Sequence, residues 1–333
     1  MNRELQMNMV QSINNALGIA LEKDTRIVLL GEDIGRGGGV FRVTAGLQEK
    51  FGEDRVVDTP LAEQGIIGVS IGMAALGLRP VPEIQFDGFS YVSLDQLINH
   101  AARLRLRTHG RLRCPLVLRF PVGGGIKALE HHSENPETYY AHVPGLKTVM
   151  PSGPYDAKGL LLSCLSQKEE DPIVFMEPKR IYRAFKEEVP EEGYEIEIGR
   201  AKIIQEGNDL TLITYGATVR TALNALSQLR EAGDSSIELI DLRTLSPLDV
   251  DTILSSVKKT GRALIVHEAP KTIGLGAEVS ALISENAIEY LKAPIIRVSG
   301  FDVPMPLAKS EDYYIPTPER IIAGIKQVLS YKG

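Results

Sequence analysis

The chain has 333 residues, of which 43% are hydrophobic and 24% charged, a composition typical of a folded globular protein and not of a disordered or collagen-like chain. A formal net charge of −6 argues against a general nucleic-acid-binding protein. Two cysteines, Cys114 and Cys164, are too few for a disulfide framework or a cysteine zinc site, and no apolar run approaches the ~20 residues that cross a bilayer.

The first half of the sequence alternates short apolar segments with longer helical ones. The short segments are rich in Val, Ile and Leu, as strands buried on both faces of a sheet are. Predicted strands cover 27–30, 81–86, 115–120, 147–150 and 173–176, and predicted helices cover 63–76, 93–108 and 154–166. This alternation predicts a mainly parallel sheet with helices on both faces.

An acidic segment, KEEVPEEGYEIEIG at 186–199, separates this half from the next and is interpreted as a linker. The alternation then resumes, with predicted strands at 210–215, 237–242, 263–267 and 295–298 and predicted helices at 217–232, 247–259, 277–291 and 318–330. We therefore predict an α/β fold of two domains, 1–185 and 200–333, each a mainly parallel sheet flanked by helices.

Candidate site residues cluster where predicted strands end, since ligands bind at the carboxyl edge of parallel sheets. The segment 83–89 ends one strand, and the loop 123–125, three glycines, follows another. The alternative for Phe86 and Phe89 is that they are ordinary core residues. The glycines at 35–39 lack the spacing of a dinucleotide fingerprint, because Val40 takes the position of its third glycine.

Glu63 begins a predicted helix that is apolar almost all round. Such a helix is usually buried, and a carboxylate at its start then costs free energy unless it has a partner. The functional interpretation is a carboxylate kept at a site or an interface. The alternative is an acid that only complements the helix dipole, and residue type alone favours that alternative.

Two adjacent histidines, His131 and His132, follow the glycine loop. Neighbouring side chains diverge, so we do not expect both to bind one metal ion, and the HExxH spacing is absent. One of them can serve in proton transfer or in stabilising an oxyanion, because histidine titrates near neutral pH. The alternative is a polar surface loop.

Several segments spread over nearly the whole chain carry a resemblance to a known family. They read DTPLAEQGIIGVSIGMAALGLRPVPEIQF, HHSENPE, AHVPGLKTVMPSGPYDAKGLL, ELIDLRTLSPLD and FDVPMP, in this order. Together they resemble the beta subunit of the thiamine-diphosphate-dependent 2-oxo acid dehydrogenase, the decarboxylating component of the pyruvate and branched-chain 2-oxo acid dehydrogenase complexes. The resemblance implies a pyrimidine-binding domain followed by a transketolase-type C-terminal domain.

The resemblance also assigns roles to individual residues. Glu63 matches the family glutamate that hydrogen-bonds a ring nitrogen of the cofactor's aminopyrimidine, and Gln85 and Phe89 match positions that line this ring. His132 matches a histidine near the reacting centre that assists reductive acylation of the lipoyl group. Glu32 matches an acid of a proton relay between two active sites.

Metal ions enter through the same resemblance. Leu116, Cys164 and Leu165 match positions whose backbone carbonyls bind a structural monovalent cation such as K⁺, although the loop that follows, 166–171, is longer than in relatives. The family places Mg²⁺ and the cofactor's diphosphate on the alpha subunit, in a GDG…N motif that this sequence lacks. Mg²⁺ at a diphosphate needs oxygen ligands at fixed spacing, and we therefore expect only half of a cofactor site here.

The implied protein is a heterotetramer of two alpha and two beta subunits, active only when assembled and bound to a lipoyl transacylase core. We expect a 2-oxo acid as substrate, no nucleic-acid partner and no membrane association. The first ten residues lack the apolar core of a signal peptide, so we expect a cytoplasmic protein, or one of the mitochondrial matrix if the chain is a mature eukaryotic one.

The sequence leaves other functions open. An acetoin dehydrogenase beta subunit shares the same motifs, and a non-catalytic scaffold could keep the fold, although it would need neither Glu63 nor His132. A self-sufficient transketolase-like enzyme is disfavoured, because the missing diphosphate domain would add ~100–200 residues. The choice between pyruvate, branched-chain 2-oxo acids and acetoin stays open.

Overall fold

The computed structural model describes residues 4–231 and 236–332. Within these residues the strands form a seven-stranded sheet, a five-stranded sheet and a two-stranded pair. Both larger sheets are mainly parallel and are flanked by helices, which confirms the predicted α/β fold class.

The strands have the following bounds: β1 Glu4–Met7, β2 Ile27–Gly31, β3 Val56–Asp58, β4 Arg79–Glu83, β5 Val117–Val122, β6 Lys147–Val149, β7 Ile173–Pro178, β8 Glu187–Pro190, β9 Lys202–Gln205, β10 Leu210–Thr214, β11 Ile237–Asp241, β12 Thr244–Ser246, β13 Ala263–Pro270 and β14 Ile296–Gly300. The helices are α1 Met9–Lys23, α2 Leu47–Phe51, α3 Glu63–Ala75, α4 Leu104–Arg107, α5 Glu137–Ala141, α6 Pro154–Cys164, α7 Thr218–Glu231, α8 Val250–Thr260, α9 Leu275–Ala287, α10 Glu311–Tyr314 and α11 Pro318–Leu329.

The first sheet has the strand order β12-β6-β7-β5-β4-β2-β3. Every pair in it is parallel except the edge pair of β12 with β6. All residues of β2, β4, β5 and β7 are buried, as the mainly apolar composition of β2, β5 and β7 predicts for strands covered on both faces. Because these strands are parallel, the segments that follow them meet at one edge of the sheet.

The two halves of the chain, on either side of the predicted linker, contribute strands to a common sheet and side chains to a common apolar cluster. The second sheet has the order β14-β13-β10-β11-β9, and β12, which lies after β11 in the sequence, joins the first sheet instead. Within the segment 186–199, β8 pairs antiparallel with β1 near the start of the chain. Phe120 and Tyr140 of the first half also belong to one apolar cluster with Tyr215 and Ile265 of the second.

Two helical regions differ from the sequence prediction. Helix α1 was not predicted, although it begins with a capping box in which Asn8 and Gln11 satisfy each other's backbone N–H groups. The single helix predicted at 93–108 was wrong: a 3₁₀ turn at 87–93, a π turn at 96–101 and α4 replace it. The hydroxyls of Ser90 and Ser93 donate to backbone carbonyls three residues earlier, and such bonds compete with a regular helix.

Some predicted features lie at the limit of what the structure covers. The predicted end of a helix at Ala232 lies outside the described residues, where α7 is described as far as Glu231. Among the helices of the described ranges, none combines the length and the hydropathy of a membrane span.

Candidate active site

The predicted site residues follow the carboxyl ends of neighbouring strands. Glu32 follows β2, Glu63 begins the helix after β3, and Gln85 and Phe89 follow β4. His132 lies in a 3₁₀ turn reached through the loop after β5. Helix α3 packs against the 87–93 turn, which in turn packs against the turn at 130–132. The fold therefore brings residues that are distant in sequence to one edge of the first sheet.

Two carboxylates face each other at one side of this edge. Glu32 is buried, and neither of its carboxylate oxygens accepts a hydrogen bond of regular geometry within the described residues. Burial raises the pKa of Glu32, and the nearby charge of Glu63 raises it further, while the Ala62 amide opposes part of the shift. Glu63 itself is half-buried at the start of α3. A proton held on Glu32 therefore relieves repulsion between the two acids.

The variant Glu32→Gln is expected to be more stable than the natural chain, by an amount that grows with pH. The folded chain binds this proton more tightly than the unfolded chain, so the free energy of unfolding falls as pH rises from the unfolded pKa through the folded one. Glutamine does not titrate, so the variant does not lose this stability as pH rises. Urea unfolding of both proteins between pH 4 and 8 measures the difference in the free energy of unfolding, and Glu53→Gln, at an exposed position, is the control. A stability difference between Glu32→Gln and the natural chain that does not change over this pH range would contradict a raised pKa of Glu32.

Gln85 connects the two neighbouring strand ends. Its side-chain amide donates to the Asp33 carboxylate at 3.2 Å. Asp33 has a φ of 57°, in the left-handed region that aspartate tolerates better than most residues. The turn that carries Glu32 is thereby tied to the segment after β4.

His132 lies among aromatic rings. Its ring centroid is 4.1 Å from that of Phe86 and 5.2 Å from that of Phe89. Its Nδ1 is buried and finds no hydrogen-bond partner in the described part of the chain. Burial lowers the pKa of His132, and the charges of His131 and Lys179 lower it further, so the imidazole is neutral near pH 7. Both phenylalanines are half-buried, and Phe89 also packs against the apolar core.

His131 has a different environment from its neighbour. Its side chain is 43% exposed, and its Nδ1 lies 3.5 Å from the Glu130 carboxylate. Its backbone lies against Gly88, where a Cβ atom would collide with the His131 carbonyl oxygen. The backbone of His131 thus fixes the turn, while the ring of His132 points into the aromatic cluster.

A buried ion pair behind the histidine turn was not predicted from the sequence. Lys179, after β7, donates to the Asp87 carboxylate at 2.7 Å, and both side chains are fully buried. Asp87 also accepts the backbone N–H of Gly123 at 3.1 Å. Burial raises the pKa of Asp87 to about 7 even though Lys179 opposes the shift. The pair joins the segments after β4, β5 and β7.

The variant Lys179→Met is expected to reduce the free energy of unfolding by about 3–5 kcal/mol, because it leaves the Asp87 carboxylate buried without its cation. Adding Asp87→Asn should restore part of this loss. Urea unfolding measures both variants. The control is Lys127→Met, since the pair of Lys127 with Asp312 lies at the surface and its removal should have no measurable effect. Equal losses in Lys179→Met and Lys127→Met would contradict a special cost of burial.

Of the positions predicted for a monovalent cation, Leu116 directly precedes β5, and Cys164 and Leu165 lie at the end of α6. The Leu116 carbonyl already accepts the Ile173 N–H at 2.8 Å. In the loop that follows Cys164 and Leu165, the guanidinium of Arg79 donates to two backbone carbonyls, at 2.7 Å to Ser166 and at 3.2 Å to Glu169. The guanidinium of Arg79 thus already binds the carbonyls of this loop, and its positive charge makes the loop a poor fit for a further cation. The cation site stays a prediction. Among residues 4–231 and 236–332, no group of three His, Cys, Asp or Glu side chains has metal-binding geometry.

One face of α3 is open in this chain, although its apolar sequence predicted burial. Leu61, Val69 and Leu76 are 79%, 60% and 88% exposed. A Cβ atom at Gly72, on the same helix, would meet nothing within 4 Å. An exposed apolar strip of this kind, on the helix that Glu63 begins, is typical of a surface that another protein chain covers.

Comparison with known protein families identifies the class of fold. Residues 6–184 match the pyrimidine-binding domain of transketolase, and residues 199–321 match the transketolase C-terminal domain. A solved chain described as a split-gene transketolase in an inactive beta4 tetramer superposes with a TM-score of 0.78 over 98% of this chain and 99% of that one. Its sequence identity is 19%, so it supports the fold alone.

Closer relatives give the family. The chain is 52% identical to the pyruvate dehydrogenase E1 component subunit beta of Acholeplasma laidlawii, over 97% of this chain and 98% of the relative. The proteins of the same name in Mycoplasma pneumoniae and Staphylococcus aureus are 48% and 50% identical, each over at least 98% of both chains. The chain belongs to this family of E1 beta subunits, components of 2-oxo acid dehydrogenases, which confirms the resemblance.

Proposed function

We propose that this chain supplies one half of a thiamine diphosphate site and, with an alpha subunit, decarboxylates pyruvate and passes the acyl group to the lipoyl group of a transacylase. The observation that carries the proposal is the contiguous edge formed by Glu63, Glu32 and His132 with its two phenylalanines. Pyruvate is chosen because relatives at about 50% identity are named for it.

The residues present fit the aminopyrimidine half of the cofactor. Glu63 offers a half-buried carboxylate that can accept a hydrogen bond from the ring, Gln85 offers a polar amide, and Phe89 offers an aromatic face. The buried Glu32 oxygens have no hydrogen-bond partner of regular geometry among the described residues, and the charge of Glu63 acts on them. Thiamine diphosphate, when bound, supplies the electron sink that decarboxylation requires.

Each side chain then has a separate task. Glu63 orients the ring and holds its proton in place. Glu32, with its raised pKa, can keep a proton next to Glu63 and so serve a proton relay. The His132 ring is only half-buried, which suits it to approach the lipoyl dithiolane and relay a proton to the sulphur that is released when one sulphur takes the acyl group and the S–S bond breaks.

An alpha subunit completes the site in this proposal. It would provide Mg²⁺ and the diphosphate ligands, and it would cover the open face of α3 next to Glu63. We expect the assembled enzyme to contain two alpha and two beta subunits and to bind a transacylase core. Sites formed between subunits are common for cofactors of this size.

The test is an activity assay on the purified chain, alone and after assembly with an alpha subunit. Thiamine diphosphate and Mg²⁺ are supplied, and reduction of an artificial dye is followed with pyruvate, branched-chain 2-oxo acids and acetoin. We expect turnover only in the assembled protein, and fastest with pyruvate. Activity of the chain alone would contradict the shared site. A branched-chain preference would change the substrate, activity on acetoin alone would favour the acetoin enzyme, and no activity at all would favour a scaffold.

A further inference from the structure

The glycine loop after β5 is bound by three carboxylates from three separate segments. The N–H of Gly123 donates to Asp87 at 3.1 Å, and the N–H of Gly124 donates to Oε1 of Glu268 at 2.6 Å. The N–H of Gly125 donates to Oε1 of Glu311. Asp87 belongs to the first half of the chain, whereas Glu268 in β13 and Glu311 in α10 belong to the second.

Glycine is required for this close approach. Gly123 has a φ of +82°, and a Cβ atom there would lie 2.8 Å from the Glu268 carboxylate. At Gly124 a Cβ atom would lie 2.9 Å from the Met305 side chain. The backbone therefore reaches these two side chains only without a side chain of its own.

Glu268 holds both ends of the segment that carries His132. Its Oε1 accepts the Gly124 N–H and also lies 3.3 Å from the side-chain amide of Asn135. Its other oxygen is 3.1 Å from the Arg180 guanidinium. Because Gly124 and Asn135 flank the segment 125–134, one carboxylate closes the loop at its base.

Glu311 holds the same segment one residue further along. It is fully buried, and its Oε2 has no hydrogen-bond partner within the residues described. Met305 and Ile315 border Gly124 beside the Glu311 carboxylate, so apolar side chains lie on one side of it, while the charge of Lys179 also acts on it. Burying a carboxylate here is costly, and the Gly125 amide is its hydrogen-bond partner.

We propose that Glu268 and Glu311 are positioning residues that hold the glycine loop, and through it His132, from the second domain. This inference rests on the proposed role of His132 in lipoyl acylation. It assigns the transketolase-type C-terminal domain a part in the second half of the reaction. A purely structural role would instead predict that any effect falls equally on both half-reactions.

The experiment uses the assembled enzyme with its alpha subunit and the variants Glu311→Leu and Glu311→Gln. Leucine suits the apolar surroundings and removes the acceptor, whereas glutamine retains an acceptor oxygen. The control is Asp312→Asn, because Asp312 is adjacent to Glu311 but 70% exposed, and its only ion pair in the described residues, with Lys127 of the segment 125–134, lies at the surface, where such pairs contribute little. Dye-coupled decarboxylation, acylation of a lipoylated transacylase domain, and hydrogen exchange of the segment 121–135 are measured.

For Glu311→Leu we expect kcat for lipoyl acylation to fall about tenfold, while decarboxylation and the KM for the 2-oxo acid change less than twofold. Amide exchange over 123–132 should accelerate. For Glu311→Gln we expect the rates in both assays to stay within about threefold of those of the natural enzyme. For Asp312→Asn we expect both rates to equal those of the natural enzyme. Should Glu311→Leu fail to assemble, Glu268→Gln is expected to show the same imbalance at more than about threefold, because Glu268 uses both oxygens, for Gly124, Asn135 and Arg180, and glutamine keeps only one acceptor and no charge.

Other results would overturn the inference. These are equal losses in the two half-reactions of a folded variant, unchanged lipoyl acylation in Glu311→Leu, or unchanged exchange of the glycine amides. Failure of the proposed function is seen separately, in the natural enzyme. If that enzyme decarboxylates but does not acylate the lipoyl domain, the role of His132 is wrong and this inference falls with it.

Discussion

The variant Glu63→Gln is expected to lose about a thousandfold in 2-oxo acid decarboxylation while it still assembles with the alpha subunit. Glutamine keeps the size and one acceptor oxygen of the side chain but cannot hold the negative charge. If Glu63 orients the cofactor ring and fixes its proton, that charge is the essential property. Because Glu63 is half-buried at a helix start, its neutralisation should not disturb the core.

Dye-coupled turnover at saturating thiamine diphosphate measures this loss, and gel filtration confirms assembly. The chain offers a matched control in Glu278→Gln, since Glu278 is also an acid in the first turn of a helix but is exposed on the other domain. It should stay within about twofold, as surface substitutions usually do. Normal turnover in Glu63→Gln would remove this residue from the mechanism.

The variant His132→Ala is expected to lower lipoyl acylation about a hundredfold and dye-coupled decarboxylation less than threefold. The His132 ring is half-buried, so part of it stays open to a lipoyl group, whose released sulphur takes up a proton when the S–S bond breaks. An artificial oxidant bypasses that transfer. The ratio of the loss in lipoyl acylation to the loss in decarboxylation is therefore more informative than the loss in overall activity.

The adjacent His131→Ala is the control for this variant, because the His131 side chain is 43% exposed and lies beside Glu130, so its removal tests the loss of the 4.3 Å ring contact with His132 without the loss of His132 itself. We expect its acylation rate to stay within about threefold of the natural enzyme. Losses of equal size in both assays of His132→Ala would show that the ring supports the site as a whole and has no separate task in acyl transfer.

The elements that could be predicted from the sequence are those with strong local patterns. The apolar runs of β2, β5 and β7 are typical of strands covered on both faces, and the parallel arrangement then places their ends at one edge. Helix α1 also had a usable signal, the capping box of Asn8 and Gln11 ahead of a periodic apolar stripe. That signal was missed.

The contacts that close the site have no local pattern. Asp87 and Lys179 are 92 residues apart, and Gly124 and Glu268 are 144 apart, so neither pair can be recognised from spacing. From the sequence, Phe86 could be either a core residue or a site residue, and only its edge-on contact with His132 in the structure places it at the site. The short strands β8, β9 and β12 were likewise missed, since partners distant in sequence determine them.

The placement of β12 has a consequence for how the chain is made. Residues 244–246 cover the edge of the first sheet at β6, yet a ribosome reaches them only after the whole pyrimidine-binding domain has emerged. Until β12 has been synthesised, the edge strand β6 of that domain therefore has no partner on its outer side. Unpaired edge strands tend to pair with strands of other chains, which leads to aggregation. A gene cut between the two domains should consequently give an aggregating N-terminal fragment, and co-expression of the missing half should rescue its solubility.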